Sequence, residues 1–153
     1  MDKSPDDFKE LLELFAAKGI EFVVVGGYAL AFHGAPRFTG DLDLFVRPDH
    51  ENARRIVSAL KEFGFGSLDL SERDFESPGQ IVQLGRPPVR VDIITSIDGV
   101  QWGEAWSEKA SGKCAEVPVF FIGRRDLIRN KRAVGRRRDL ADLEALGEDE
   151  SSD

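Results

Sequence analysis

The sequence predicts an α/β (α+β) fold, a mixed β-sheet flanked by helices, on three observations. Segments with apolar residues at helical spacing alternate with short apolar runs, which is the signature of one sheet covered by helices. The runs at Ile81–Leu84 and Val89–Ile94 are separated by too few residues for a parallel crossover, so these two strands must form an antiparallel pair. No segment repeats another, which leaves 153 residues to form one core, over 1–147, ahead of an acidic and disordered tail at 148–153.

The elements follow in order. Ser4-Pro5-Asp6-Asp7 reads as a helix start, with a Ser cap, Pro in the first turn and carboxylates at the positive dipole end. Phe8, Leu11, Leu12 and Phe15 then recur at helical spacing until Gly19. Phe22–Val25 is a buried strand running into Gly26-Gly27, and Tyr28–His33 is a short helix. Leu42–Val46 is a second strand, closed by Pro48. Residues 49–63 form an amphipathic helix on Ala53, Ile56, Val57 and Leu60, stopped by Gly64. Beyond the antiparallel pair, Asp98-Gly99 turns into a helix through Trp102 and Trp106, whose spacing fits core packing better than a base-stacking surface. Val117–Ile122 is the last strand, and Arg124 to about Leu146 is helical with a break near Gly135.

Composition narrows the function. No apolar run approaches the roughly 20 residues a membrane helix needs, and the N-terminus lacks a signal-peptide core, so a cytoplasmic protein with no membrane partner is expected. Cys114 has no partner for an internal disulfide and fits buried packing. With one Cys and only His33 and His50, a zinc cluster is excluded; His33 fits a packed or capping role. The net charge of −7 hides an asymmetry: residues 124–138 hold eight basic side chains against Asp126 alone, leaving −14 on the remainder. On one helix Arg125, Arg129, Arg132 and Arg136 would form a stripe, either a solvated face or a surface for phosphates. Arg138 is expected to pair with Asp142 one turn on.

Three carboxylates carry the chemistry. Asp41 and Asp43 open a strand and, two residues apart, share a face while Leu42, Leu44 and Val46 point to the core. The Val89–Ile94 strand repeats this pattern, with Arg90 and Asp92 on the polar face. If the two strands are neighbours, Asp92 lands beside Asp41 and Asp43, and three acids together repel unless a cation sits among them. Magnesium is the expected ion, because it binds a few carboxylates together with waters and substrate phosphates, and two such ions suit in-line phosphoryl transfer. The alternative is a set of exposed strand-edge carboxylates. Upstream, Gly26 and Gly27 lie between strand and helix, where backbone can approach a phosphate. Between glycines and acids, Arg37 and Thr39 offer a guanidinium and a hydroxyl to a nucleotide, although Arg37 equally suits pairing with Asp41 or Asp43.

The order glycine pair, short helix, Gly34-Ala35-Pro36-Arg37-Phe38-Thr39, Asp41-Leu42-Asp43, and then Asp92 on a later strand resembles the polymerase-β-type nucleotidyltransferase superfamily. Within it, the chain looks like the small bacterial abortive-infection (AbiEii-like) toxin-type proteins, in the segments 91–100 and 126–143 as well. The likeness runs from about Phe22 to Leu146 and implies a minimal nucleotidyltransferase fold with C-terminal helices. It implies that Asp41 and Asp43 hold two magnesium ions, that Asp92 completes one metal site and helps activate the acceptor hydroxyl, that Gly26 and Gly27 cradle the triphosphate, and that Lys131 reaches it. Many members have Gly-Ser where this chain has Gly26-Gly27, so one hydroxyl contact to phosphate is missing, for which Tyr28 or Thr39 is the replacement. The implied activity moves a nucleotide from a nucleoside triphosphate to a hydroxyl of an RNA 3′ end or a protein, releasing pyrophosphate, in a toxin–antitoxin or phage-defence setting. A non-catalytic, antitoxin-like nucleotide- or partner-binding protein on the same fold is the alternative. A haloacid-dehalogenase phosphatase is excluded, since Asp41-Leu42-Asp43-Leu44-Phe45 opens its strand and lacks the Thr of that pattern.

Overall fold

The computed structural model describes residues 5–36, 40–65, 69–86 and 89–147. The Ser4 cap, Arg37, Thr39 and the tail at 148–153 lie outside the described residues. In chain order the main elements are α1 (Pro5–Ala17), β1 (Phe22–Val25), α2 (Gly26–Phe32), β2 (Asp41–Val46), α3 (His50–Leu60), β3 (Ile81–Arg86), β4 (Val89–Ile94), α4 (Trp102–Ser107), β5 (Ala110–Cys114), β6 (Val117–Phe121), α5 (Arg124–Val134) and α6 (Arg137–Ala145).

The strands form one six-stranded sheet in the order β3-β4-β2-β1-β6-β5. It is mixed, as predicted: β3 pairs β4 antiparallel, while β2 pairs β4 and β1 pairs β6 in parallel. β1 lies near the centre, and its four residues are all buried, which is why it reads as an uninterrupted apolar run. Leu42, Leu44 and Val46 are fully buried on one face of β2, together with the α3 stripe of Ala53, Ile56, Val57 and Leu60 in the core. On the other face Phe45 meets Trp102 edge-on at 5.2 Å, and Trp102 stacks on Trp106 at 5.4 Å. The tryptophans are half-buried packing residues of α4, and Cys114 is buried.

Both β5 and α3 depart from expectation. β5 has the sequence Ala-Ser-Gly-Lys-Cys, which lacks the β-branched and aromatic residues that mark strands. It is an edge strand held by its ladder to β6, across a two-residue turn in which both Ala115 and Glu116 have positive φ. That turn matches the twist of a hairpin, but it lacks the Asn-Gly or Asp-Gly pair that signals one in sequence. α3 is also shorter than expected. Asp49 is its cap, accepting from Asn52 N at 2.9 Å, and regular helix ends at Leu60 before a wider turn that carries Gly64 at φ 117°. The fully buried Asn52 pins this junction: its Oδ1 accepts from Glu21 N, and its Nδ2 donates to Glu21 O and Arg47 O at 3.0 Å each.

The break near Gly135 is real. Gly135 closes α5 in the left-handed conformation at φ 67°, and Arg136 caps α6. Arg136 therefore does not continue a stripe with Arg125, Arg129 and Arg132. Arg129 is also engaged, with Glu104 at 2.9 Å and Asp126 at 3.4 Å, so the phosphate-surface alternative loses its continuous stripe.

Candidate active site

The parallel pairing of β2 and β4 sets Asp41 across from Arg90 and Asp43 across from Asp92. Alternation turns all four side chains to one face, so the three predicted acids do meet. β1 ends one residue before Gly26, with Val25 in register with Asp43, and this brings the glycine turn against the acids. A Cβ on Gly26 would lie 2.1 Å from Asp43 Oδ2, and φ there is +70°; both space and backbone require glycine. α2 starts at Gly26 itself, two residues earlier than the sequence suggests, because Gly26 and Gly27 already belong to its first turn.

Arg90 lies among the acids. Its Nη2 donates to Asp41 Oδ2 at 2.7 Å. Its Nε is 3.2 Å from Asp92 Oδ1, but the alignment forms no hydrogen bond, and both atoms are buried without one. Asp43 feels the crowding most. Burial, followed by the charge and hydrogen bond of Asp92 and the charge of Asp41, raises its carboxyl to about 7 against the opposing pull of Arg90. As the side chains stand, no group of three His, Cys, Asp or Glu among the described residues encloses a metal ion.

The acids form the floor of an open cleft of about 490 Å³, bordered by Gly26 and Gly27 on one side, Ser96 to Asp98 on another, and α5 and α6 on a third. The last wall is held close by Gly99, where a Cβ would lie 2.8 Å from that of Ala133, and by Asn130 Nδ2 donating to Asp98 O at 2.9 Å. Lys131 faces this cleft but is buried, and its ammonium is paired with Asp142 at 2.9 Å and Asp139 at 3.3 Å. Burial alone would raise the Asp139 carboxyl; hydrogen bonds and charge from Arg136 and Lys131 overcome it and hold the group below the usual carboxylate range. Lys131 thus takes the partner expected of Arg138, which lies exposed at the rim and makes no ion pair with a described residue. His33 is a packing residue, its Nε2 donating to Ile122 O at 2.7 Å.

Sequence reasoning missed the Lys131–Asp139–Asp142 cluster. The spacing of Asp139 and Asp142 on one helix was a usable signal, but the left-handed turn that folds α6 back on α5 was needed to aim both at Lys131. Asn130 carried no signal of its own.

The mixed sheet, with its glycine turn beside the acids, is the fold of a nucleotidyltransferase of the polymerase-β type, as the family match bears out. The pattern of the family described as "Nucleotidyl transferase AbiEii toxin, Type IV TA system" matches residues 11–109, more than half the sequence, and the chain belongs to that family of nucleotidyltransferases. No curated protein sequence matches it. Among solved structures, TM1012 of Thermotoga maritima, assigned as a nucleotidyltransferase, is similar with a TM-score of 0.59 at 17% identity, over 90% of this chain and 88% of that one. The antibiotic-resistance factor ANT(2'')-Ia gives 0.58 at 11% identity, over 93% and 81%. The lincosamide antibiotic adenylyltransferase LnuA, solved with lincomycin, gives 0.58 at 10% identity, over 96% and 98%. At these identities the likeness is one of fold.

Among the described residues, no helix is long and apolar enough to cross a membrane.

Proposed function

We propose that this nucleotidyltransferase binds a nucleoside triphosphate with magnesium over Asp41, Asp43 and Asp92 and transfers the nucleotide to a hydroxyl on RNA or protein. The observation that carries the reading is the register of Asp43 with Asp92, beside a Gly26 that leaves no room for a side chain. The donor set fits a hard divalent cation. It offers three carboxylates, one of them, Asp43, raised to about 7 by burial and by the other two, and one oxygen, Asp92 Oδ1, buried without a hydrogen bond. Asp41 and Asp43 would hold two magnesium ions and Asp92 would share one. When bound, the ions supply charge neutralisation at the reacting phosphate.

The chain's own residues then have separate tasks. Gly26 and Gly27 let the backbone approach the triphosphate, and Arg37 and Thr39 add contacts to it. The acceptor oxygen attacks the α-phosphorus, the bond from that phosphorus to the bridging oxygen breaks, and pyrophosphate leaves with the electron pair. Asp92 Oδ1 receives the hydroxyl proton. Lys131, held by two aspartates, acts on the triphosphate site by fixing the α5 wall of the cleft.

Arg137 and Arg138 favour an RNA acceptor. They occupy the first turn of α6, where a cation is opposed by the helix dipole by about 0.3–1 kcal/mol each. Both are exposed, and Arg138 borders the cleft. Their placement does nothing for the helix and suits a polyanion beside the acids. A cytoplasmic toxin of a toxin–antitoxin pair, silenced by a partner, is the setting that fits this activity. The test is to incubate the protein with magnesium and each triphosphate labelled at its α-phosphate, with bulk RNA or with RNA-free lysate. Label on RNA is expected, label on protein moves the acceptor to that class, and no transfer with any combination sinks the proposal.

A further inference from the structure

Arg90 stands directly across β2–β4 from Asp41 and two residues before Asp92, so its guanidinium lies among the proposed metal ligands. Its contacts there are unequal. One amine donates to Asp41 at 2.7 Å, whereas Nε and Asp92 Oδ1, 3.2 Å apart, are buried without forming a hydrogen bond. An arginine retained for stability among several carboxylates would be expected to engage one of them through its two-pronged fork. This one divides itself between two acids and satisfies the second poorly. It also has room to leave: its side chain is 29% exposed, and its register partner on β3 is Gly85, which puts no side chain beside it.

We infer that Arg90 is the internal counter-cation of the site. It neutralises Asp41 and Asp92 while no divalent ion is bound, yields them when metal and nucleotide enter, and then pairs with a triphosphate oxygen. The inference rests on the metal-dependent reading proposed above. Two consequences follow from charge alone. A divalent ion entering by itself must displace Arg90, which weakens its binding. A triphosphate entering with the ion gives the displaced guanidinium an anionic partner, so metal and triphosphate bind with positive coupling.

The experiment is calorimetry on the full chain with Mn²⁺ alone and then with inorganic triphosphate added to the Mn²⁺-loaded protein. Arg90→Gln removes the competitor, so Mn²⁺ alone should bind several-fold more tightly, on the order of tenfold. Triphosphate should bind that variant more weakly than the parent. Arg90→Lys keeps the charge and loses the fork; it should retain the parent's Mn²⁺ affinity and lose part of its triphosphate affinity. A parent that binds Mn²⁺ while Arg90→Gln binds it equally or less well overturns the counter-cation and leaves the metal reading intact. A parent that binds Mn²⁺ neither alone nor with triphosphate overturns both. Should Arg90→Gln fail to fold, unchanged triphosphate affinity in Arg90→Lys overturns the inference by itself.

Discussion

Replacing Asp43 with Asn should make the metal-free protein more stable at pH 8 and not at pH 4. Asp43 titrates near 7 in the folded protein because burial and the neighbouring acids penalise its charge, against about 3.9 in an unfolded chain. Between those values the folded state holds more protons than the unfolded state, so this group's contribution is largest in acid and is lost as pH rises from about 4 to about 7. Three pH units at about 1.36 kcal/mol each set an upper bound near 4 kcal/mol. Asp43 is hydrogen-bonded to Asp92, and Asn retains a polar group to bury, so about 1–2 kcal/mol should be recovered at pH 8. For a chain of this length that is a rise in melting temperature of roughly 2–8 °C. The assay is thermal or urea unfolding of both proteins with a chelator, at pH 4 and pH 8. Asp41→Asn is the contrast, because it surrenders the 2.7 Å contact to Arg90 and should gain nothing. A loss of stability in Asp43→Asn at pH 8, or a difference between the two proteins that ignores pH, would refute the repulsion argument.

Other perturbations test the remaining parts of the site. Lys131→Ala removes the buried ammonium between Asp139, which keeps Arg136, and Asp142, and should destabilise the protein in urea unfolding by less than the roughly 3–5 kcal/mol of a fully broken buried pair, so a neutral result would show that the cluster is not what joins α5 to α6. Gly26→Ala puts a methyl group 2.1 Å from Asp43 Oδ2 and should abolish magnesium–nucleotide binding in calorimetry; retained affinity would mean that the turn does not hold Asp43 in place. Arg137→Ala with Arg138→Ala should leave stability unchanged or slightly raised and should flatten the salt dependence of RNA affinity by about 0.7 per lost contact to a single strand. An unchanged slope would remove RNA from the α6 rim.

Much of this was legible in the sequence because period-two alternation acts locally. Asp41, Asp43, Arg90 and Asp92 could be assigned to polar faces strand by strand, and the short link between β3 and β4 fixed their antiparallel pairing. What alternation cannot give is which strands are neighbours, and the parallel β2–β4 ladder that joins the acids is a property of the whole sheet. The basic helix failed for the opposite reason. Helical periodicity put Arg136 on a stripe with Arg125, but a single left-handed residue, Gly135, redirected the chain. Charge pairing across that turn then engaged Lys131 and Arg136, leaving Arg137 and Arg138 exposed in the first turn of α6, with Arg138 at the rim. β5 was illegible because its ladder to β6 comes from hairpin geometry rather than from its own side chains.

The central claim is that Asp41, Asp43 and Asp92 carry out nucleotidyl transfer, and the position of the label tests it most directly. The parent and the three Asp→Asn variants would be given magnesium, the acceptor, and the same triphosphate labelled at either its α- or its γ-phosphate. The account predicts that the parent moves the α label to the acceptor and releases the γ label as pyrophosphate, while each variant, still folded by circular dichroism, moves neither. A γ label found on the acceptor, or full α transfer by Asp92→Asn, would contradict it.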